Sequence, residues 1–357
     1  MPDALVSSAV RRYGWLEQRP EVVNPLDQWS GIGRRLRRLR LKEWLYFTVI
    51  HPELYAAMVI QDANYLASSE LYAYLPDERI LHQHARTGRG GALHLPTRLY
   101  GGQARFRARG YELHYQFGER DGEHRIELAM AEDRHGAELA ASLVLHGNSG
   151  SAPLTVSAAL PGASGRVQSR ASDLVLPGAS GMAGSLAPHG APSMFTHKRA
   201  FPISGSFRVG RRELHFDPER DLAILDEHHS LLPYRTAWTW ATFASRERDG
   251  ILGANLVERA ELPGQASESC SWLGGTATPL RGVNFSPPLG QGGDWRMSDG
   301  EGRLELSFTQ AGEKSVHRRL LLAEIDYRQF FGSFSGHLDG RPVVSVHGVI
   351  ESMRARF

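Results

Sequence analysis

Trp44-Leu45-Tyr46-Phe47-Thr48-Val49-Ile50 is built from aromatic and β-branched residues almost throughout, the side chains that suit a pleated, half-buried surface. After the His51-Pro52 turn, Leu54 to Ile60 continues as the return arm of a hairpin. Leu71 to Leu75 follows, closed by Pro76-Asp77, and then Arg105 to Arg109 and Tyr111 to Phe117 alternate apolar with polar residues. Ile126 to Met130 and Leu139 to Leu145 come next. Short strands at this spacing, separated by turns such as Asp121-Gly122, indicate a sandwich or barrel.

The pattern restarts further on, at Leu214 to Phe216, Leu222 to Leu225, Ala237 to Phe243, Ile251 to Val257 and Leu304 to Phe308. Convincing helices are few. The expected fold is all-β, with two lipocalin-like antiparallel barrels in tandem. Residues 161–192 are rich in Gly, Ala, Ser and Pro and repeat Pro-Gly-Ala-Ser. Such composition buries little apolar surface and reads as a flexible linker or loop. The expected division is a lead-in segment over 1–30, a barrel over 31–160, the linker over 161–192 and a second barrel over 193–357. Arg34 to Lys42 is a basic run. It is read as a short helix or strand with solvated arginines, in preference to a contact for anionic lipid or phosphate.

Composition bounds the function. The chain has 357 residues, 41% hydrophobic and 22% charged, and a formal net charge of +2. That is ordinary globular composition, with no global field to steer nucleic acid. A single cysteine, Cys270, excludes an internal disulfide and a cysteine-based zinc site. No apolar run approaches the ~20 residues of a membrane span, and Met1 to Val10 lacks the pattern of a secretory signal. The expectations are a cytoplasmic protein, no stable membrane insertion and no nucleic-acid partner, with a homodimer allowed.

His82-Gln83-His84 and His228-His229 raise the question of a metal. Their spacing matches no zinc signature, so no metal is expected. Gly31-Ile32-Gly33 and Gly88-Arg89-Gly90-Gly91 are not phosphate loops, and no nucleophile elbow occurs. No cofactor is expected.

The densest candidate constellation is Asp226-Glu227-His228-His229, followed by Tyr234, Arg235, Trp238 and Trp240. Residues two apart on a strand share a face, so Trp238 and Trp240 point the same way. If that face lines a barrel, the indoles form an apolar wall that stacks on a polyene or steadies a carbocation. Asp226 precedes this strand and would sit at the barrel mouth; against tryptophans it would have a raised pKa and serve as a general acid. Tyr234 and Arg235 would orient the substrate, Arg235 through a carboxylate. Trp44, Tyr46, Asn255 and His229 complete the expected substrate-binding set. The competing reading makes the tryptophans plain core, Asp226 and Arg235 a structural ion pair, and Asn255 a loop tie.

Several spaced blocks resemble a bacterial family catalogued as a domain of unknown function, number 2804. They are Asn24-Pro25, Arg40 to Phe47, Thr196-His197-Lys198, Asp226, Pro233 to Ala241, Gly253 to Leu256, Phe331 to Gly336, Gly348 and Glu351. That family is distantly similar to carotenoid 1,2-hydratase and AttH-type proteins. The resemblance implies tandem lipocalin-like barrels and relatives that include cofactor-free natural-product cyclases. The chain departs from the family where relatives tend to carry an Asp, a small residue and a glycine, since it has Asp226-Glu227-His228-His229. Its Gly/Ala/Ser insertion is also long. Both departures leave the substrate open.

The expected function is cofactor-free hydration, protonation or cyclisation of a small apolar, terpenoid- or lipid-like molecule in a barrel cavity. The alternatives are a carrier of hydrophobic metabolites that does no chemistry, and a structural barrel filled by its own side chains.

Overall fold

The computed structural model describes residues 3–91, 93, 95–162, 191–289, 293–319 and 324–356. Among these the chain is nearly all β, with the single α-helix Gly31–Arg38. No helix among the described residues is long and apolar enough to cross a membrane.

Two curled antiparallel sheets lie in tandem. The first orders its strands Ile80–Arg89, Leu66–Leu75, Leu54–Asp62, Leu41–His51, Leu222–Leu231, Ser193–Val209, Leu139–His146, Glu123–Met130, Tyr111–Phe117 and Gln103–Ala108. The second orders Thr276–Pro279, Cys270–Gly274, Gly250–Arg259, Arg235–Glu247, Arg341–Arg356, Glu324–Leu338, Leu304–Arg319, Trp295–Ser298 and Asn284–Ser286. Each encloses its own apolar core. Phe47, Met58, Leu113, Tyr115, Phe201 and Leu225 pack inside the first. Phe243, Leu256, Phe308, Phe334 and Ile350 pack inside the second. The all-β tandem architecture is therefore as the strand pattern implied.

The boundary between sheets differs from the expected division. It falls between Leu231 and Arg235, because Ser193–Val209 and Leu222–Leu231 hydrogen-bond into the first sheet beside Leu41–His51 and Leu139–His146. Composition marks soft segments but does not say which strands a sheet needs to close on itself. Of the expected linker, 163–190 lie outside the described residues. The lead-in segment carries regular structure of its own. It contributes the short strands Val6–Ser7, Val10–Arg11 and Gly14–Trp15, and it sends Arg19 into the first sheet's interior.

Leu222–Leu231 is buried along its whole length, because it lies between the first sheet's core and the second sheet. Alternation splits its side chains. Ala223 and Leu225 join the interior core, while Ile224 packs in a separate cluster with Ala244 and Trp272 of the second sheet. The sheets are tied by Tyr55, whose hydroxyl donates to the Gly332 carbonyl at 2.8 Å, and by Tyr74, whose hydroxyl donates to the Ala311 carbonyl at 2.9 Å. Gly312 permits this approach: a Cβ there would lie 2.8 Å from the Tyr74 ring and 2.6 Å from Phe331.

Candidate functional site in the gap between the sheets

Register places the site. Lys198 pairs with Asp226, and Asp226 with Tyr46, so these three side chains stand abreast on adjacent strands. One step along, Thr196, His228 and Trp44 do the same. Cross-strand partners share a face, and here that face looks toward the second sheet. From the second sheet, Trp238 and Trp240 answer it. They share a face, as alternation requires, but they point out of their own sheet: Phe243 and Ala241 take the interior positions, and Trp240 packs with Tyr55, Tyr72, Val257 and Phe331. The two indoles thus lie between the sheets and not inside a barrel. A strand pattern tells which residues share a face but not which face turns inward.

Asp226 sits at the centre. Its Oδ2 accepts from Lys198 Nζ at 2.6 Å. Its Oδ1 is buried with no hydrogen-bond partner. His228 Nε2 stands 3.3 Å from that oxygen and 3.6 Å from Glu268 Oε2, which is likewise unpartnered. Arg259 holds the other Glu268 oxygen at 3.1 Å. Burial is the main cause that pushes the Asp226 carboxyl up to about 6, against the opposing pull of Lys198. Burial also pushes His228 well below the ordinary imidazole value, aided by Lys198 and Arg259, which keeps it neutral.

Aromatic rings surround this group. Trp44 stacks on His228 with centroids 4.2 Å apart. Tyr46 meets Trp240 edge-on at 5.8 Å, and Lys198 Nζ lies 5.2 Å from the centre of the Trp240 ring. Trp240 Nε1 donates to Asn255 Oδ1 at 2.7 Å, and Asn255 Nδ2 donates to the Glu268 carbonyl at 2.7 Å. Trp238 Nε1 donates to Glu351 Oε1 at 2.8 Å. Asp226, Lys198, His228 and Trp240 are buried, while Trp44, Tyr46, Trp238 and Glu351 are half-buried. The group is therefore deep but rimmed by partly accessible rings.

The expected residues divide accordingly. Asp226, Trp44, Tyr46, Trp238, Trp240 and Asn255 converge. His229 does not: it alternates to the opposite face, where its Nε2 is 2.9 Å from Glu227 and its Nδ1 2.7 Å from Glu43. Glu227 also takes two 2.7 Å hydrogen bonds from Arg19. Burial opposes charge on both His229 and Glu227. The two carboxylates nonetheless raise His229 to about 9, and Arg19 holds Glu227 well below the usual carboxylate range. Arg235 is exposed, and its place in the alternation puts it on the face opposite Trp238 and Trp240. Tyr234 is 42% exposed at the crossover between sheets. The cation that pairs with Asp226 is Lys198 rather than Arg235. Lys198, Glu268 and Arg259 went unassigned in the sequence. Lys198 stood in a family-like block, but only sheet register reveals that it faces Asp226.

Other polar clusters are explained locally. His82 and His84 pin the turn before Ala137, whose amide donates to His82 Nδ1 at 3.1 Å while its carbonyl meets His84 Nε2 at 2.8 Å. No group of three or more His, Cys, Asp or Glu among the described residues converges in metal-binding geometry. Two shallow cavities of about 210 and 250 Å³ adjoin Arg19, Tyr100 and Arg120, away from Asp226.

Fold and site together define a class: a two-sheet β protein with an aromatic-lined carboxylate buried between its sheets. The chain belongs to the family described as a domain of unknown function, DUF2804, which it matches over residues 10–183 and 189–357. None of the curated proteins matches it. Among solved structures it is similar to kievitone hydratase from Nectria haematococca, at 11% identity and a TM-score of 0.45, covering 87% of this chain and 88% of that one. It is also similar to CghA with Sch210972, at 10% identity and a TM-score of 0.48, covering 89% and 88%.

Proposed function

We propose that this chain performs cofactor-free acid–base chemistry on a small apolar, unsaturated molecule, with Asp226 as the proton donor, at the interface between its two sheets. One observation carries the reading: a buried carboxyl, raised to about 6, presents an unpartnered oxygen among Trp44, Tyr46 and Trp240. That oxygen accepts no hydrogen bond, and its near neighbour, the neutral His228 Nε2 at 3.3 Å, stands where it can exchange a proton with it. In hydration, Asp226 protonates one alkene carbon from Oδ1 and becomes a carboxylate, whose new charge the Lys198 ammonium at Oδ2 pairs. The neighbouring rings steady the developing cation. Water attacks the other carbon and yields its proton to neutral His228, which stands close enough to return it to Asp226. Loss of a proton in place of water attack gives isomerisation, and attack by a second alkene gives cyclisation.

A carrier without chemistry is the second reading. The 2.6 Å Lys198–Asp226 contact favours it, because it makes the carboxyl half of an ion pair. Deuterium separates the two. Apolar material that copurifies with the protein is extracted, identified by mass spectrometry and returned to the apo-protein in D₂O. Protonation at carbon installs deuterium, and Asp226→Asn abolishes this while an apolar fluorescent probe binds as before. Label-free recovery from the wild type, or equal labelling by Asp226→Asn, refutes the proposal.

A further inference from the structure

We propose that the helix Gly31–Arg38, together with the adjoining Tyr65-Leu66 turn, is a docking surface for an anionic lipid bilayer. Ile32, Leu36 and Leu39 are spaced four and three apart, which aligns them in one stripe along a helix. They are 76%, 63% and 54% exposed. No residue of the helix is buried. The side toward the protein is held by Arg37, whose guanidinium lies 4.6 Å from the Trp29 ring centre. Arg38 Nε donates to Asn64 Oδ1 at 3.0 Å, which draws the next turn alongside. That turn exposes Tyr65 and Leu66. Five of the ten large hydrophobic side chains exposed among the described residues therefore lie on this helix, its C-cap and the segment that Arg38 ties to it. Scattered exposed apolar residues are ordinary, but a contiguous patch marks an interaction surface.

Charge selects the partner. From Gln28 to Arg40 the chain carries five basic residues, Arg34, Arg35, Arg37, Arg38 and Arg40, and no acidic one, and of these Arg34 pairs with Asp27 just before the helix. An aliphatic stripe flanked by arginines fits a surface that is anionic outside and apolar just beneath, as an acidic bilayer is. Nucleic acid would meet the arginines but leave Ile32, Leu36 and Leu39 in water. With eight residues the helix is only about 12 Å long, so it lies in the interface and does not span.

The patch stands beside the interface between the sheets. The helix runs directly into Leu41–His51, and Trp44 lies about 10 Å along that strand from Leu41. Arg40 Nη2 donates to the Leu232 carbonyl at 3.2 Å, which fastens this end to the crossover between sheets. An apolar molecule dissolved in a bilayer would thus reach the rim at Trp44 and Trp238 without crossing water. This delivery role rests on the proposed function, but the docking does not.

Cosedimentation of the full chain with vesicles tests it. Vesicles of equal parts phosphatidylcholine and phosphatidylglycerol should carry the protein down, less so at high salt, and pure phosphatidylcholine should not. Ile32→Ser/Leu36→Ser alters only exposed side chains, and Arg34→Gln/Arg35→Gln removes two exposed charges, one of them paired at the surface with Asp27; each should weaken binding at least about tenfold with unchanged circular dichroism. Asp226→Asn should bind vesicles like the wild type, so failure of the chemistry and failure of the docking are told apart. The proposal is overturned if the wild type stays in the supernatant, or if both double variants sediment as well as it does. It is equally overturned if duplex DNA is bound and vesicles are not, or if inorganic phosphate at the headgroup concentration releases the protein fully.

Discussion

Lys198→Met is the most informative single change. Lys198 Nζ is 2.6 Å from Asp226 Oδ2, and both side chains are almost wholly buried. Methionine keeps the apolar stem and removes the charge. In the wild type, burial pushes the Asp226 carboxyl up to about 6 even with the ammonium beside it. A folded-state value raised above the unfolded one, ~4 for aspartate, costs stability. The cost is absent below pH ~4, grows as pH rises, and stops growing above about 6. Two units at 1.36 kcal/mol each make it about 3 kcal/mol. Without Lys198, both its attraction and its hydrogen bond are lost, and the carboxyl climbs further. The cost then keeps growing to pH 8, adding about 2–3 kcal/mol over the wild type. At pH 5 both proteins hold Asp226 largely protonated and should differ by no more than about 1 kcal/mol. Urea unfolding midpoints at pH 5 and 8 measure this. Any contribution from His229 cancels, since it is present in both proteins. A gap that is equal at the two pH values, or narrows toward pH 8, would show that Asp226 does not titrate as a buried acid. The reasoning also requires that adding Asp226→Asn to Lys198→Met remove the excess pH dependence.

Three further outcomes follow from the geometry. Trp240→Ala removes a buried indole packed on Tyr46 and hydrogen-bonded to Asn255, and should cost about 3–5 kcal/mol in chemical denaturation; a loss below ~1 kcal/mol would mean that the sheets are not packed through it. His229 is raised to about 9 by Glu227 and Glu43 against the opposing effect of burial. Its stabilisation is complete below the unfolded value of ~6.5 and is lost as pH rises through about 9, roughly 3 kcal/mol in all; the urea midpoint should fall over that interval in the wild type and not in His229→Gln. Cys270 is buried, and burial pushes its thiol up to about 12, so a thiol reagent should leave it unmodified at pH 8 until urea unfolds the chain.

By itself the sequence determined the all-β architecture and which of the aromatic residues share a face. Trp44 to Ile50 and Ala237 to Phe243 announce strands through residue type and period, which are local properties. The same period requires that Trp238 and Trp240 point together. What alternation cannot say is which face a strand buries when both are covered. Leu222–Leu231 is buried on both sides, so Asp226 and His229 read alike in sequence yet enter different environments. Register across strands far apart in the chain set Lys198 against Asp226, and the packing of two sheets brought Glu268 and Arg259 to His228. The division between sheets was equally a tertiary matter. Soft composition flags 161–192, but the strands at 193–231 close the first sheet because their hydrogen-bonding partners, Leu41–His51 and Leu139–His146, lie there. Pairing energy is non-local, and no single segment records it.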